Sequence, residues 1–398
     1  MGIFDAIQSV IAKKLAKDIF NNDSAKEEFK EETIDDVIKN IKSQVDLWEN
    51  TEVKIAITGQ SGSGKSSLIN AISGEKTANV GFTETTMEPK EYKIGDGIVL
   101  VDLPGCGTTK FPFESYVSDM KLPEFDAIVL VTANRFYEAD VKLFDHVTKV
   151  LKKPIFLVRT KMDSAVRDGE EDNGLTKDQV IDVILEDMIN NTQVSDVSQI
   201  YLVSSKPKQI ANFHTARLIK DISENLPSIK KGKFISESAA YSEEAIKAKK
   251  ETMLELAKRY AYLSAANGLN PIPGLNVAID VGVLSKLTKT ILKSYGLIDS
   301  NIADYIRESE EKGKLSGTIT GVSKWVAQYA TEAGIKQILP KLVIAETAKT
   351  FSSWIPILGQ AVAAGIGYKL TSYFAEKLIN ESEEKAILAL KVYIEDQY

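Results

Sequence analysis

The chain has 398 residues, 43% of them hydrophobic, enough for two domains with a sizeable core. Its formal net charge of −7 gives no global attraction to nucleic acid or anionic lipid, so no nucleic-acid partner is expected and any lipid contact would be local. The single cysteine, Cys106, excludes an internal disulfide framework and suits a reducing cytosol, while His146 and His214 lack metal-ligand company and read as structural or surface residues.

Residues 2–20 carry Ile3, Phe4, Ile7, Val10, Ile11, Leu15, Ile19 and Phe20 at helical spacing, an apolar face expected to dock on the chain's own helices rather than on a membrane. Lys13, Lys14 and Lys17 follow an interrupted apolar run with no cleavage site, so no secretory leader is expected. Ala6 stands where a myristoylation motif wants Ser or Thr. A second helix is expected over about 24–49, with Asp23 or Ser24 as its cap.

From Val53 to about Leu226, short β-branched runs alternate with amphipathic segments, the pattern of an α/β domain. Strands are expected at 53–58, 90–94, 98–102, 126–132, 154–159 and 199–204, several apolar throughout as strands covered on both faces must be. Helices are expected at 138–152, 176–191 and 208–225. After Pro227, Lys230, Lys231 and Lys233 around Gly232 read as an exposed joint. Beyond it the periodicity is helical, with long helices over 235–265 and 375–395.

Between those helices two similar units recur at an offset of 83 positions: Ile272-Pro273, Ala278, Gly282 and Lys286-Leu287-Thr288 match Ile355-Pro356, Ala361, Gly365 and Lys369-Leu370-Thr371. Both lie by charge-free windows, 260–279 and 350–368, whose Pro271, Pro273, Pro356, Asn and Gln residues favour a packed helical core over a membrane span.

The first strand runs into Gly59-Gln60-Ser61-Gly62-Ser63-Gly64-Lys65-Ser66-Ser67, a G-x-x-x-x-G-K-S phosphate loop opening a helix. Its glycines let backbone N–H groups of Gly59, Ser61, Gly62, Ser63, Gly64 and Ser67 turn toward phosphate oxygens, and the helix dipole favours the same anion. Lys65 would bridge the terminal phosphates, and the Ser66 hydroxyl would ligate Mg²⁺. The third strand ends in Asp102-Leu103-Pro104-Gly105, placing Asp102 toward the cation and Gly105 toward the γ-phosphate. The fifth ends in Thr160-Lys161-Met162-Asp163, close to N-K-x-D: a carboxylate at Asp163 accepts both guanine N–H donors, and the Lys161 stem covers the base. Ser204-Ser205-Lys206 follows the last strand, where a backbone amide would meet the guanine O6. In 76–88, Thr86 is chosen, ahead of Thr85, to bring its hydroxyl and carbonyl to Mg²⁺ and the γ-phosphate. Cys106 stands where small switches place a water-orienting glutamine, so hydrolysis needs help from elsewhere; Glu84 and Gln60 are the nearest polar candidates.

These residues resemble the immunity-related (interferon-inducible) GTPases, dynamin-like large GTPases. The resemblance rests on the phosphate loop, Thr-Glu-Thr-Thr-Met-Glu-Pro at 83–89, Asp-Leu-Pro-Gly-Cys-Gly-Thr-Thr-Lys-Phe-Pro at 102–112, Phe125-Asp126, Asn134-Arg135-Phe136 with Asp140, and Val158-Arg159-Thr160-Lys161-Met162-Asp163. It is specific over about 53–226 and looser in the flanking helices. It implies a Ras-like P-loop G domain with a mixed, mostly parallel sheet over 51–228, and an all-α helical domain built from 1–50 and 229–398. It further implies Mg²⁺-dependent hydrolysis of GTP to GDP, with Lys65, Thr86, Gly105 and Glu84 catalytic, and Ser66, Thr86 and Asp102 on the metal. GTP-promoted homodimers or oligomers through the G domain, a cytoplasmic protein peripheral on intracellular membranes, and a role in cell-autonomous defence complete what the resemblance implies. Two readings stay open beside it: a monomeric regulatory switch, and a low-activity nucleotide-binding scaffold.

Overall fold

β1 (Val53–Thr58) is the strand on which the sheet closes from both sides, and its composition explains why. Val53, Ile55 and Ile57 alternate onto one face and Ala56 onto the other, all at 0% exposure. A strand so apolar can only lie between two others. β3 (Ile98–Asp102) and β4 (Ala127–Thr132) flank it in parallel, in register at Val53↔Ile98 and Ile55↔Ala127. β5 (Ile155–Arg159) and β6 (Ile200–Leu202) continue the parallel array, and β2 (Lys90–Ile94) pairs antiparallel with β3. The six-stranded order is β2-β3-β1-β4-β5-β6.

The computed structural model describes residues 34–74, 78, 88–192, 194, 196–206, 209–240, 242–268, 281–311, 317–339 and 359–395. The apolar face over 2–20, the beginning of the helix expected from 24, and the Ile-Pro starts of the two repeats lie outside the described residues. All six expected strands form, shortened by a residue or two at some ends.

α1 (Ile34–Glu49) precedes β1, and α2 (Lys65–Ser73) follows it. Next come α3 (Phe113–Asp119), α4 (Glu138–His146) with a π turn at Val147–Leu151, α5 (Met162–Asn173) and α6 (Lys177–Thr192). These cover one face of the sheet: Tyr116, Leu143, Val147, Met162, Val166, Val180 and Met188 share a core with Ala56, Val99 and Leu157. α2, α7 (Thr215–Glu224) and α8 (Ser228–Glu237) cover the other through Leu68, Ile72, Leu218, Ile222 and Phe234.

α8 overturns the expectation of an exposed joint at Lys230–Lys233. Pro227 leads into the helix, Phe234 is 0% exposed in the sheet core, and Lys233 is 4% exposed. Lys230 Nζ donates to both oxygens of Asp126 at 2.7 and 2.8 Å, and the same carboxylate accepts the Lys54 N–H at 2.9 Å. Long lysine stems let a helix with a cationic sequence still bury apolar surface. The helix expected over 235–265 is correspondingly two, because α8 stops at Glu237 and α9 (Glu243–Gly268) starts afresh.

The last outward-facing groups of β6 are taken by side chains of the same unit. His214 Nδ1 accepts the Leu202 N–H at 3.2 Å, and the Arg217 guanidinium donates to the Ile200 carbonyl while lying over the Tyr201 ring. Burial, and secondarily the Arg217 charge, holds His214 below its usual range, so the imidazole keeps an acceptor nitrogen near neutral pH.

The described residues fall into two compact units. One lies within Thr51–Lys249, Ser300–Tyr305 and Ala389–Tyr398, the other within Met1–Asn50, Lys250–Asp299 and Ile306–Leu388. The second is helical, with α10 (Val281–Ser294), most of α11 (Asn301–Glu311), α12 (Gly317–Tyr329) and most of the 37-residue α13 (Gly359–Glu395). It brings α1 together with helices that follow residue 249. Ile41, Val45 and Trp48 of α1 are buried, Glu49 accepts from Tyr260 Oη at 2.8 Å and pairs with Lys286 at 2.6 Å, and Arg259 lies over Trp48. Thr371 donates to Ser264 at 3.0 Å, and Trp325 Nε1 to Glu381 at 2.8 Å. The Leu-Thr pair of each repeat, Leu287-Thr288 and Leu370-Thr371, is buried.

Lys249 is 1% exposed, and its ammonium donates to the carbonyls of Ile235, Ser236 and Ser238 at 2.7, 3.2 and 2.6 Å, closing the C-terminal turn of α8. Lys249→Met keeps the stem and removes the donors, so stability should fall by about 1–3 kcal/mol. Burial lowers this lysine from 10.5 to about 7. Between those values the unfolded chain holds a proton that the folded chain does not, so wild-type stability relative to Lys249→Met rises with pH across that window. Thermal unfolding of both proteins from pH 7 to 10 checks the slope.

Candidate functional site

The strand order reverses at β1, and the crevice at such a reversal, outside the carboxyl ends of the strands, is where open α/β sheets bind ligands. Those of the residues singled out from sequence that are described lie at these strand ends. Gly59–Gly64 leave the end of β1, Asp102 closes β3, Thr160 follows β5, and Ser204 stands two residues past β6.

The phosphate loop has little freedom. Gly59 has φ of 147°, and a Cβ there would lie 2.0 Å from the Val131 carbonyl oxygen of β4. Gly64 caps α2 in the left-handed region at φ of 89°, and no side chain caps the helix, so its first N–H groups face the loop. Lys65 is 6% exposed and curls over the loop, donating to the Gly59 and Gln60 carbonyls at 2.8 and 3.3 Å. Ser61 and Gly62 are exposed at the tip, Ser63 is buried, and Ser67 is half-buried on α2.

Ser66 Oγ donates to Asp102 Oδ2 at 3.2 Å. A hydroxyl and a carboxylate held together beside a phosphate cradle suit a small hard divalent cation that takes its remaining ligands from phosphate oxygens and water. Among the described residues no group of three or more His, Cys, Asp or Glu is placed to hold a metal.

Gly105 packs on the loop: a Cβ would lie 3.1 Å from Gln60 Cα and from the Gly59 carbonyl oxygen. Gln60 Nε2 donates to the Cys106 carbonyl at 2.9 Å, fastening the loop to the segment after β3. Cys106 is 1% exposed, and burial together with the charge of Asp140 pushes its thiol up to about 12. Asp140, in the first turn of α4, accepts the Tyr137 N–H at 3.0 Å; burial still raises its carboxyl, against the opposing pull of that bond, the Gln60 amide and Lys65. Tyr116 of α3 is fully buried, with its hydroxyl 2.6 Å from the Pro104 carbonyl and 2.5 Å from Thr58 Oγ1.

Thr160 occupies the position where N-K-x-D has asparagine, and its hydroxyl donates to the Ser63 carbonyl at 2.5 Å, with the Thr132 carbonyl at 3.2 Å. The segment after β5 is thereby tied to the phosphate loop. Behind it, the buried Arg159 guanidinium donates to the Thr160 carbonyl at 2.7 Å. Lys161 is exposed, in a left-handed backbone conformation at φ of 57° that turns the chain from β5 into α5. Asp163 accepts from Ser204 Oγ at 2.8 Å and pairs with Lys206 at 2.6 Å. Burial alone would raise its carboxyl, but the Lys206 and Ser204 hydrogen bonds and the Lys206 charge hold it below its usual range, so it is an ionised acceptor. Ser205 is half-buried beside them. Thr86 and Glu84, with Thr83 and Thr85, lie outside the described residues.

Sequence reasoning missed Tyr116, Thr58 and Arg159 as parts of the site. Each is one residue in an ordinary strand or helix; the fold brings Tyr116 and Thr58 to the Pro104 carbonyl, while Arg159 donates to the carbonyl of the next residue, Thr160.

The sequence profile of the family described as Interferon-inducible GTPase (IIGP) matches residues 21–388. The chain is 26% identical over 390 residues to mouse (Mus musculus) "Interferon-gamma-inducible GTPase 10", covering 94% of this chain and 90% of that protein. It is 27% identical over 354 residues to "Interferon-inducible GTPase 5" of Rattus norvegicus, covering 85% and 75%, and 29% identical over 292 residues to "Interferon-inducible GTPase 1" of Mus musculus, covering 70% and 67%.

The Thr160–Ser63 bond is open to a direct check. Thr160→Val keeps the volume and leaves the Ser63 carbonyl without its hydroxyl donor, so the unfolding free energy should drop by about 1–3 kcal/mol in urea titration, with the m-value unchanged.

Proposed function

The chain belongs to the interferon-inducible GTPase family, and from that premise we propose how its site binds and turns over GTP. It is a GTP hydrolase, and the observation that carries the site assignment is the convergence of Lys65, Ser66, Asp102, Thr160 and Asp163 at the carboxyl ends of β1, β3 and β5. The loop amides and Lys65 hold the β- and γ-phosphates. Asp163, ionised and fixed by Ser204, accepts the N1–H and 2-amino protons of guanine, a donor pair that adenine lacks. The Lys161 stem covers the base. Ser66, Asp102 and Thr86 hold Mg²⁺, which when bound neutralises charge developing on the phosphates. Gly105 presents its backbone N–H to the γ-phosphate.

Cys106 does not replace the water-orienting glutamine. A buried thiol with its pKa pushed up to about 12 stays protonated at neutral pH and cannot take a proton from water. The missing help comes from Glu84 or from a second G domain, and this supports GTP-dependent homodimers or oligomers formed through that domain. Work at intracellular membranes as a peripheral cytoplasmic protein, in cell-autonomous defence, is part of this proposal, and what supports the defence role is that relatives bear the name interferon-inducible GTPase. No described helix is long and apolar enough to cross a membrane.

Asp163→Ala should weaken GTP binding by roughly 30- to 150-fold and abolish the preference for GTP over ATP in competition titrations. Lys65→Ala or Ser66→Asn should eliminate turnover, as should chelation of Mg²⁺. Across a dilution series, the rate per molecule should rise with protein concentration; a flat rate favours the monomeric switch instead.

A further inference from the structure

A single carbonyl links the end of β1 to α3. Tyr116 Oη donates to the Pro104 carbonyl at 2.6 Å, Thr58 Oγ1 lies 2.5 Å from Tyr116 Oη, and the same Thr58 hydroxyl reaches the Pro104 carbonyl at 3.2 Å. Both side chains are 0% exposed, so no water competes for these bonds. The triangle contains two hydroxyl protons and one carbonyl, and both protons are used within it. Thr58 is the last residue before the phosphate loop, and Tyr116 is fixed by α3 in the core under β3 and β4.

The held carbonyl belongs to the peptide whose N–H is that of Gly105. In a trans peptide, C=O and N–H lie in one plane and point in opposite directions, so fixing one aims the other. The hydroxyl pair pulls the carbonyl toward the core. Gly105 itself packs on the phosphate loop, where a Cβ would stand 3.1 Å from Gln60 Cα and from the Gly59 carbonyl oxygen, while the Pro104 carbonyl faces Thr58 and Tyr116.

We propose that Tyr116, assisted by Thr58, is a positioning residue for the triphosphate state: by holding the Pro104 carbonyl it orients the Gly105 N–H toward the γ-phosphate. This rests on the reading of Gly105 given above. A donor aimed before the ligand arrives costs no reorganisation when the ligand binds. Without the Tyr116 hydroxyl the Pro104–Gly105 peptide is free to rotate, and the interaction with the γ-phosphate weakens. GDP, which has no γ-phosphate, is indifferent to the change.

The test compares the affinity of fluorescent GDP with that of a fluorescent, non-hydrolysable GTP analogue, together with single-turnover hydrolysis of GTP. Tyr116→Phe removes one oxygen. It should leave GDP affinity within about twofold, while analogue affinity and hydrolysis each fall on the order of tenfold to a hundredfold. Thr58→Val should act in the same direction but less, and Thr58→Ser should restore wild-type values. Equal losses for GDP and the analogue would mean a structural role only and would overturn the proposal, as would unchanged affinities and rate. If Tyr116→Phe fails to fold, judged by loss of GDP binding, the Thr58→Val and Thr58→Ser pair decides by the same criterion. A wild type that binds neither guanine nucleotide overturns the site reading itself; a wild type that binds both, with discrimination unchanged in Tyr116→Phe, overturns this inference alone.

Discussion

There is no room for a side chain at residue 59, and the site follows from that. β1 is enclosed by β3 and β4, so the chain leaving it must pass directly over the end of β4, where the Val131 carbonyl already stands. Only glycine at positive φ makes that turn. Once it is made, Lys65 can curl back onto the Gly59 carbonyl, Ser66 comes level with Asp102, and Gly105 can close against the loop. The other bonds of the site, from Thr160 to Ser63 and from Gln60 to Cys106, fasten neighbouring segments to a loop whose path this one steric limit sets.

The electrostatics divide the site into two ends with different logic. At the base end, Asp163 keeps its charge because Ser204 and Lys206 stabilise it against the cost of burial. At the phosphate-loop end, burial raises the Asp140 carboxyl against the opposing pull of the Tyr137 N–H, the Gln60 amide and Lys65, and raises the Cys106 thiol, which stays neutral.

The strands were legible because burial on both faces writes itself into the chain as unbroken β-branched runs, and the phosphate loop because strand, glycines and helix must occur in that order. α3, α5 and α8 were less so. α5 carries Arg167, Asp168, Glu170, Glu171 and Asp172 on a helix that buries only Met162, Val166 and Gly169, and α8 hides its contact with the sheet behind four-carbon lysine stems. In the site, the G-x-x-x-x-G-K-S, D-x-x-G and T-K-x-D segments could be named from spacing. Tyr116 and Thr58 could not, because what each does depends on a backbone carbonyl that only the fold brings near, and Arg159, which donates to the carbonyl of the next residue, carries no spacing signal. His146, read as a structural or surface residue, stacks edge-on against Phe113, and His214, read the same way, accepts a backbone N–H.

The two open edges of the sheet are defended in different ways. β2 carries Lys90, Glu91 and Lys93 exposed along its length, and β6 has its outward Leu202 N–H and Ile200 carbonyl occupied by His214 and Arg217. A strand from another molecule would have to strip off a histidine and an arginine at one border, or accommodate alternating charge at the other. The sheet is therefore a poor template for β-augmentation or runaway fibre growth.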